Sequence, residues 1–165
     1  RAIEAFVAAH RHDNRDVFYP LVEGLFNVAG LNCRLSRAGV NYSRHDAILL
    51  FDDTSIPIEI KSPGEESEIS VKGIRQALEN KIVLLSRKAY PCKRDHTSLV
   101  VGYNAPNNRS EVHEVVENIR GVYDIRIGVL DLQNLAQLAF DAVATGRRVD
   151  VQELLTAQGV LKLDR

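Results

Sequence analysis

Three residues in this 165-residue chain have types and spacing that suit joint chemistry: Asp46, Glu59 and Lys61. Glu59 and Lys61 stand two apart in IPIEIKS, residues 56–62, with Ile at the alternate positions. A buried strand rarely carries two charges on one face without a partner or a task. Upstream, AILLF (47–51) reads as a second strand, and the intervening DDTS favours a turn, so the two strands form a hairpin. With residues 53 and 54 at its tip, Asp46 faces Lys61, Ile48 faces Glu59 and Leu50 faces Pro57. Side chains alternate between faces. One face then carries Ala47, Leu49, Phe51, Ile56, Ile58 and Ile60, and the other gathers Asp46, Glu59 and Lys61. Direct and diagonal neighbours on such a ladder lie within roughly 5 to 8 Å. Two carboxylates and the main-chain carbonyl of Ile60 make a hard oxygen site suited to Mg²⁺. The Lys61 ammonium beside it can orient water or neutralise charge developing on a phosphate. The chemistry this implies is metal-assisted phosphodiester hydrolysis. The plainer alternative is a cross-strand Asp46–Lys61 salt bridge with Glu59 solvated on a wet sheet face.

The elements that must position these residues can be read from periodicity. A helix capped by Asp16 runs to about Gly30, with Phe18, Leu21, Val22, Leu25, Phe26 and Ala29 at helical spacing. Leu31 to Arg37 alternates as a half-buried strand. After the hairpin, Ser62-Pro63-Gly64 ends its second strand, and Val71, Ile74, Leu78, Ile82 and Leu85 mark a long helix to about Arg87. A strand from Ser98 to Tyr103, a helix near 109–120, a strand near 124–130, a helix near 132–144 and a short terminal helix near Val151 complete the chain. The order is α-β-β-β-α-β-α-β-α-α. Antiparallel strands followed by βα alternation predict an α/β fold, a mixed central sheet flanked by helices.

Asp46, twelve intervening residues and then Glu59-Ile60-Lys61, set in an α-β-β-β-α-β order, resemble the PD-(D/E)xK nuclease superfamily, and most of all a type II restriction endonuclease catalytic domain. The resemblance spans about Asp16 to Tyr103, and VKGIRQALENK follows the signature in the manner of those enzymes. It implies a restriction-endonuclease-like αβββαβ core, with Asp46 and Glu59 as metal ligands and Lys61 assisting the attacking water. In several branches an acidic residue of the first helix and a Gln of the helix after the signature join the site; Glu23 and Gln76 occupy those places. Arg44-His45 stands where the family's Pro precedes the first Asp. Arg44, Lys72 and Arg75 are the candidate nucleic-acid contacts, each with a plain polar surface as its alternative. The implied activity is Mg²⁺-dependent cleavage of DNA. Two further readings stay open: a nuclease of the same fold in repair, recombination or transposition, and a non-catalytic nucleic-acid-binding module.

Composition limits the other possibilities. The formal net charge is -1, which lacks the basic excess of a general duplex binder, although residues 34–94 hold 11 Lys/Arg against 8 Asp/Glu. Cys33 and Cys92 lack metal-type spacing, so a zinc site or disulfide framework is not expected and a reducing, cytoplasmic setting fits better. No apolar run approaches the ~20 residues of a membrane span, and no Gly-rich phosphate loop signals a nucleotide cofactor. Length predicts one domain over 1–165. The absence of Met suggests a piece of a longer protein, in which a recognition domain lies elsewhere. Cutting both strands of a duplex needs two sites, which makes a homodimer the functional expectation.

Overall fold

The computed structural model describes residues 1–37 and 44–162. Two helices open the chain, α1 (Ala2–Ala9) and α2 (Arg15–Val28). The strands β1 (Asn32–Leu35), β2 (Ala47–Leu50) and β3 (Ser55–Lys61) come next, and then α3 (Val71–Arg87). The remainder alternates: β4 (Ser98–Gly102), α4 (Val112–Tyr123), β5 (Ile127–Asp131), α5 (Leu132–Thr145), α6 (Val151–Leu155) and β6 (Gly159–Val160). The strands form one six-stranded sheet in the order β1-β2-β3-β4-β5-β6. Pairing is antiparallel from β1 to β3 and parallel from β3 to β6. The α/β mixed sheet flanked by helices is therefore the fold expected from the alternation of elements.

Each sheet face has its own apolar layer. On one face Ala47, Leu49, Ile56, Ile58 and Ile60 pack against Phe18, Val22, Leu25 and Phe26 of α2 and Leu132, Leu135 and Ala139 of α5. On the other, Val100, Ile127 and Val129 pack against Ile74 and Ala77 of α3 and Val112, Val116 and Ile119 of α4. The β3 strand is buried along its whole length. Its odd-numbered positions, Glu59 and Lys61 among them, point to the α3 side.

Several local expectations are corrected. The α2 cap is Asn14, whose side chain accepts from the Val17 N–H at 3.3 Å, rather than Asp16, which lies inside the first turn. Asn14 has the extended backbone that a cap needs (ψ 176°), which frees its oxygen to reach back to the helix N–H groups. The N-terminal segment forms α1, which packs against α5, and a two-residue strand β6 closes the sheet edge. The hairpin register also differs. Ala47 pairs with Ile58, Ile48 with Pro57 and Leu50 with Ser55, so the tip is Asp52-Asp53. The Phe51 N–H donates to the Thr54 carbonyl at 3.0 Å and closes this two-residue turn. Continuing the register places Asp46 opposite Glu59 instead of Lys61. The slip is two residues, an even number, so every side chain keeps its expected face.

Candidate active site

The site forms where β2 begins and β3 ends. The Asp46 N–H donates to the Ile58 carbonyl at 3.0 Å, extending the ladder by one step, and Asp46 Oδ2 accepts the Ile60 N–H at 2.8 Å. The strand edge itself therefore orients the Asp46 carboxylate. Glu59 and Lys61 project from β3 beneath α3, and the Lys61 Nζ lies 3.2 Å from Glu59 Oε2. Both side chains are under a tenth exposed, so Glu59 is not solvated on a wet face. Asn80 of α3 donates its Nδ2 to Glu59 Oε1 at 3.1 Å. Each Glu59 oxygen thus has a donor.

Helix α3 reaches this close because of two small residues. A Cβ at Gly73 would meet Val100 Cγ1 at 3.3 Å and the Lys61 stem at 3.8 Å, so the glycine lets the helix backbone rest over the lysine. A Cβ at Gly102, the residue paired with Lys61, would lie 2.5 Å from Ile69 Cγ1. Ser98 Oγ donates to the Ala77 carbonyl at 2.7 Å and pins the middle of the helix to β4.

The electrostatics of the two carboxylates set this site apart. Burial first and the adjacent Glu59 charge second push the Asp46 carboxyl up to about 7, against the lowering effects of the Ile60 N–H and the Lys61 charge. Two carboxyl groups this close resist carrying full charge together unless a cation joins them. That property, with the hard-oxygen donor set, fits a divalent metal. Asp46 and Glu59 would supply the anionic ligands, and the Ile60 carbonyl a neutral one. That carbonyl already accepts the Tyr19 hydroxyl at 2.9 Å, and a carbonyl oxygen has a second lone pair to offer. Among the described residues no group of three His, Cys, Asp or Glu is arranged to hold a metal. A two-carboxylate site suits Mg²⁺, which keeps several waters.

Glu23 is not brought to this pair. Its Oε2 accepts the Leu35 N–H at 2.8 Å, and its charge, after burial, helps to hold the Cys33 thiol up at about 12. The carboxylate caps the β1 edge instead of completing a ligand set. Gln76 falls between Gly73 and Asn80 on the face of α3 that covers Lys61 and Glu59. Its Oε1 is buried without a hydrogen-bond partner among the described residues, which leaves a polar atom for a ligand or water.

No known family model matches the chain, and no curated protein matches it. Among solved structures it superposes on restriction endonuclease FokI with a TM-score of 0.69 at 11% sequence identity, over 94% of this chain and 30% of that one. The fold is restriction-endonuclease-like. At this identity the likeness concerns the fold alone, and the chain spans about 30% of the length of FokI.

Within this restriction-endonuclease-like fold the expected nucleic-acid contacts lie outside the buried trio. Lys72 and Arg75 are exposed on the outer face of α3. Arg44, also exposed, reaches Glu79 of α3 at 3.7 Å. Three residues around the site carried no recognisable signal in the sequence. Asn80 is a polar residue at a helical core position. Tyr19 contacts the site from α2, 41 positions before the carbonyl it bonds. Glu65 accepts from Ser62 N at 3.1 Å, from Ser62 Oγ at 2.9 Å and from the Tyr19 hydroxyl at 3.4 Å. Burial raises the Glu65 carboxyl, but the Ser62 donors, Tyr19 and the Lys61 charge outweigh it and hold the group below the usual range. The Ser-Pro-Gly run that marks the end of β3 is the only hint of that turn in the sequence. No helix among the described residues is long and apolar enough to cross a membrane.

Proposed function

We propose that this domain is a Mg²⁺-dependent DNA endonuclease of the PD-(D/E)xK type, the catalytic domain of a type II restriction endonuclease. The observation that carries the reading is the adjoining Asp46 and Glu59 carboxyls, with Asp46 raised first by burial and then by Glu59, and with the Lys61 ammonium 3.2 Å from Glu59. The likeness in fold to the restriction endonuclease FokI supports DNA as the substrate.

In this reading Asp46, Glu59 and the Ile60 carbonyl hold the cation. The cation supplies Lewis acidity toward the phosphate oxygens and toward water. The Ile60 N–H fixes Asp46, leaving Oδ1 for the metal. Asn80 fixes the Glu59 rotamer, an outer partner of the kind that keeps a metal-binding carboxylate in place. Lys61 orients the attacking water and neutralises charge that develops on the phosphate during in-line displacement. Its stem is confined between β3 and Gly73, so the ammonium has little freedom to wander. Gln76 Oε1 accepts from that water.

The test is cleavage of supercoiled plasmid by the purified domain with Mg²⁺, alongside a chelator control and the Lys61→Ala protein. Nicking or linearisation that requires the metal and disappears in the variant is the expected result. Discrete fragments assign it to a restriction enzyme, and preferential cutting of branched substrates to repair or recombination. Plasmid binding without any cutting, unchanged by chelator, would establish the non-catalytic module instead.

A further inference from the structure

Lys81, the residue after Asn80 on α3, is fully buried, yet neither of its hydrogen-bond partners among the described residues is a carboxylate. Its Nζ donates to the Lys93 carbonyl at 2.6 Å and to Cys92 Sγ at 3.3 Å. A fully buried lysine is rare without an acid to pair it, and this one is turned on a thiol. Burial pushes its pKa below the usual lysine range, against the opposing effects of Cys92 and Asp95. Burial of this kind favours the neutral amine, which is a nucleophile.

The cysteine is held against this amine from both sides. The Pro91 carbonyl accepts Ser55 Oγ at 2.7 Å, and the Lys93 N–H donates to Thr54 Oγ1 at 3.3 Å. Thr54 and Ser55 are buried where β3 begins, so the hairpin and Lys81 together fasten residues 91–93. Cys92 itself remains partly exposed, within reach of a reagent little larger than water. Cys33 differs on each count. It is buried, and burial with the Glu23 charge holds its thiol up at about 12.

We propose that Cys92 is a peroxide-reactive modification site whose oxidised sulfur is captured by Lys81, forming a covalent S–N cross-link between α3 and the segment before β4. With hydrogen peroxide the O–O bond breaks, the sulfur takes one oxygen to become sulfenic acid, and one water is released. The sulfur is oxidised by two electrons and the peroxide is reduced. The Lys81 amine then attacks the sulfur, the S–O bond breaks, and the hydroxyl leaves with an amine proton as a second water. One thiol, one amine and one peroxide thus give one sulfenamide and two waters. Two equivalents of a small thiol reverse the bond and become a disulfide themselves. Capture also keeps the sulfur from advancing to sulfinic acid, which thiols do not reduce. The cross-link fastens the turn of α3 whose Asn80 holds Glu59. The inference does not depend on the nuclease reading.

The test is mass spectrometry of the purified protein after hydrogen peroxide, on the intact chain and on its tryptic peptides. The 165 residues include two Cys and no Met, so the two thiols are the only sulfur that can be oxidised. The intact mass is expected to fall by two hydrogens. Trypsin should no longer cut after Lys81, a joined peptide should contain Lys81 and Cys92, and dithiothreitol should restore both. Cys33 should still take iodoacetamide once the protein is denatured. Lys81→Met is expected to lose the cross-link and let Cys92 advance to sulfinic and sulfonic acids. Mapping of the wild type decides the matter even where that variant fails to fold. The inference is overturned by a Cys33–Cys92 disulfide, by a wild-type Cys92 carried to sulfinic acid while trypsin still cuts after Lys81, or by a Cys92 that peroxide leaves unmodified.

Discussion

At the scale of single residues, Asp46 and Lys61 make opposite demands on the fold. A metal-free Asp46–Glu59 pair holds a proton in the folded state up to about pH 7, whereas an unfolded Asp titrates near 3.8. Folding takes up a proton between those values, so this pair lowers stability as pH rises through that window. In chelator, Asp46→Asn should therefore melt above the wild type near pH 8, with the gap closing toward pH 4, because Asn keeps an oxygen for the Ile60 N–H. Added Mg²⁺ should raise the wild-type melting temperature and leave that of the variant unmoved. A differential scanning fluorimetry series over pH, with and without metal, reads both effects, and a variant that melts at or below the wild type at every pH would contradict the shift. Lys61→Ala is expected to lower metal-dependent cleavage by about 10² to 10⁴, the usual contribution of a positioned proton-handling group. It also leaves Glu59 buried without its cation, so a lower melting temperature should accompany the loss. Lys61 and Glu59 were recognisable as a charged pair in sequence because charge inside an apolar strand is rare. Glu23 was not distinguishable from a ligand, because its bond to the Leu35 N–H depends on where β1 docks against α2.

At the scale of elements, α3 converts a charged sheet face into a site. It supplies Asn80 to Glu59, covers Lys61 with Gly73 and brings the Gln76 oxygen into the interior. Asn80→Ala should lower turnover roughly 10- to 100-fold, the cost typical of losing an outer partner of a metal-binding carboxylate, while single-turnover assays still show metal dependence. Gly102→Ala acts through packing beside Lys61. Its new methyl would lie 2.5 Å from Ile69 Cγ1, a branched core atom that cannot swing aside. Overpacking of this kind costs about 1 to 3 kcal/mol, measurable as a lower urea midpoint with an unchanged m-value. The long helix was legible from Val71, Ile74 and Leu78, because three-and-four spacing is local. Its role as the roof over β3 was not, since α3 is also amphipathic by that spacing whichever sheet face it covers. The hairpin face that carries Glu59 and Lys61 is dry for this reason, against the plainer alternative of a solvated one.

At the scale of the whole molecule, one site can nick DNA, but it takes two to cut both strands together. If the domain acts through a transient pair, linearisation of plasmid should rise with about the square of protein concentration, while nicking rises linearly. A linear dependence for both would point to independent nicks.

The sequence alone determined which side chains share a face. Strand periodicity is two, and a two-residue error in the turn leaves that parity intact, so Asp46, Glu59 and Lys61 were gathered correctly although Asp46 was assigned the wrong partner. It also determined the order of long elements, because their hydrophobic spacing is written within each element. Tertiary structure alone decided that Asp46 stands opposite Glu59, that α3 dries the face they share, that Tyr19 bonds the Ile60 carbonyl and that Glu23 turns to β1. Those outcomes depend on contacts between residues far apart in the chain, set by how helices dock on the sheet, and no local pattern of residue types encodes that docking.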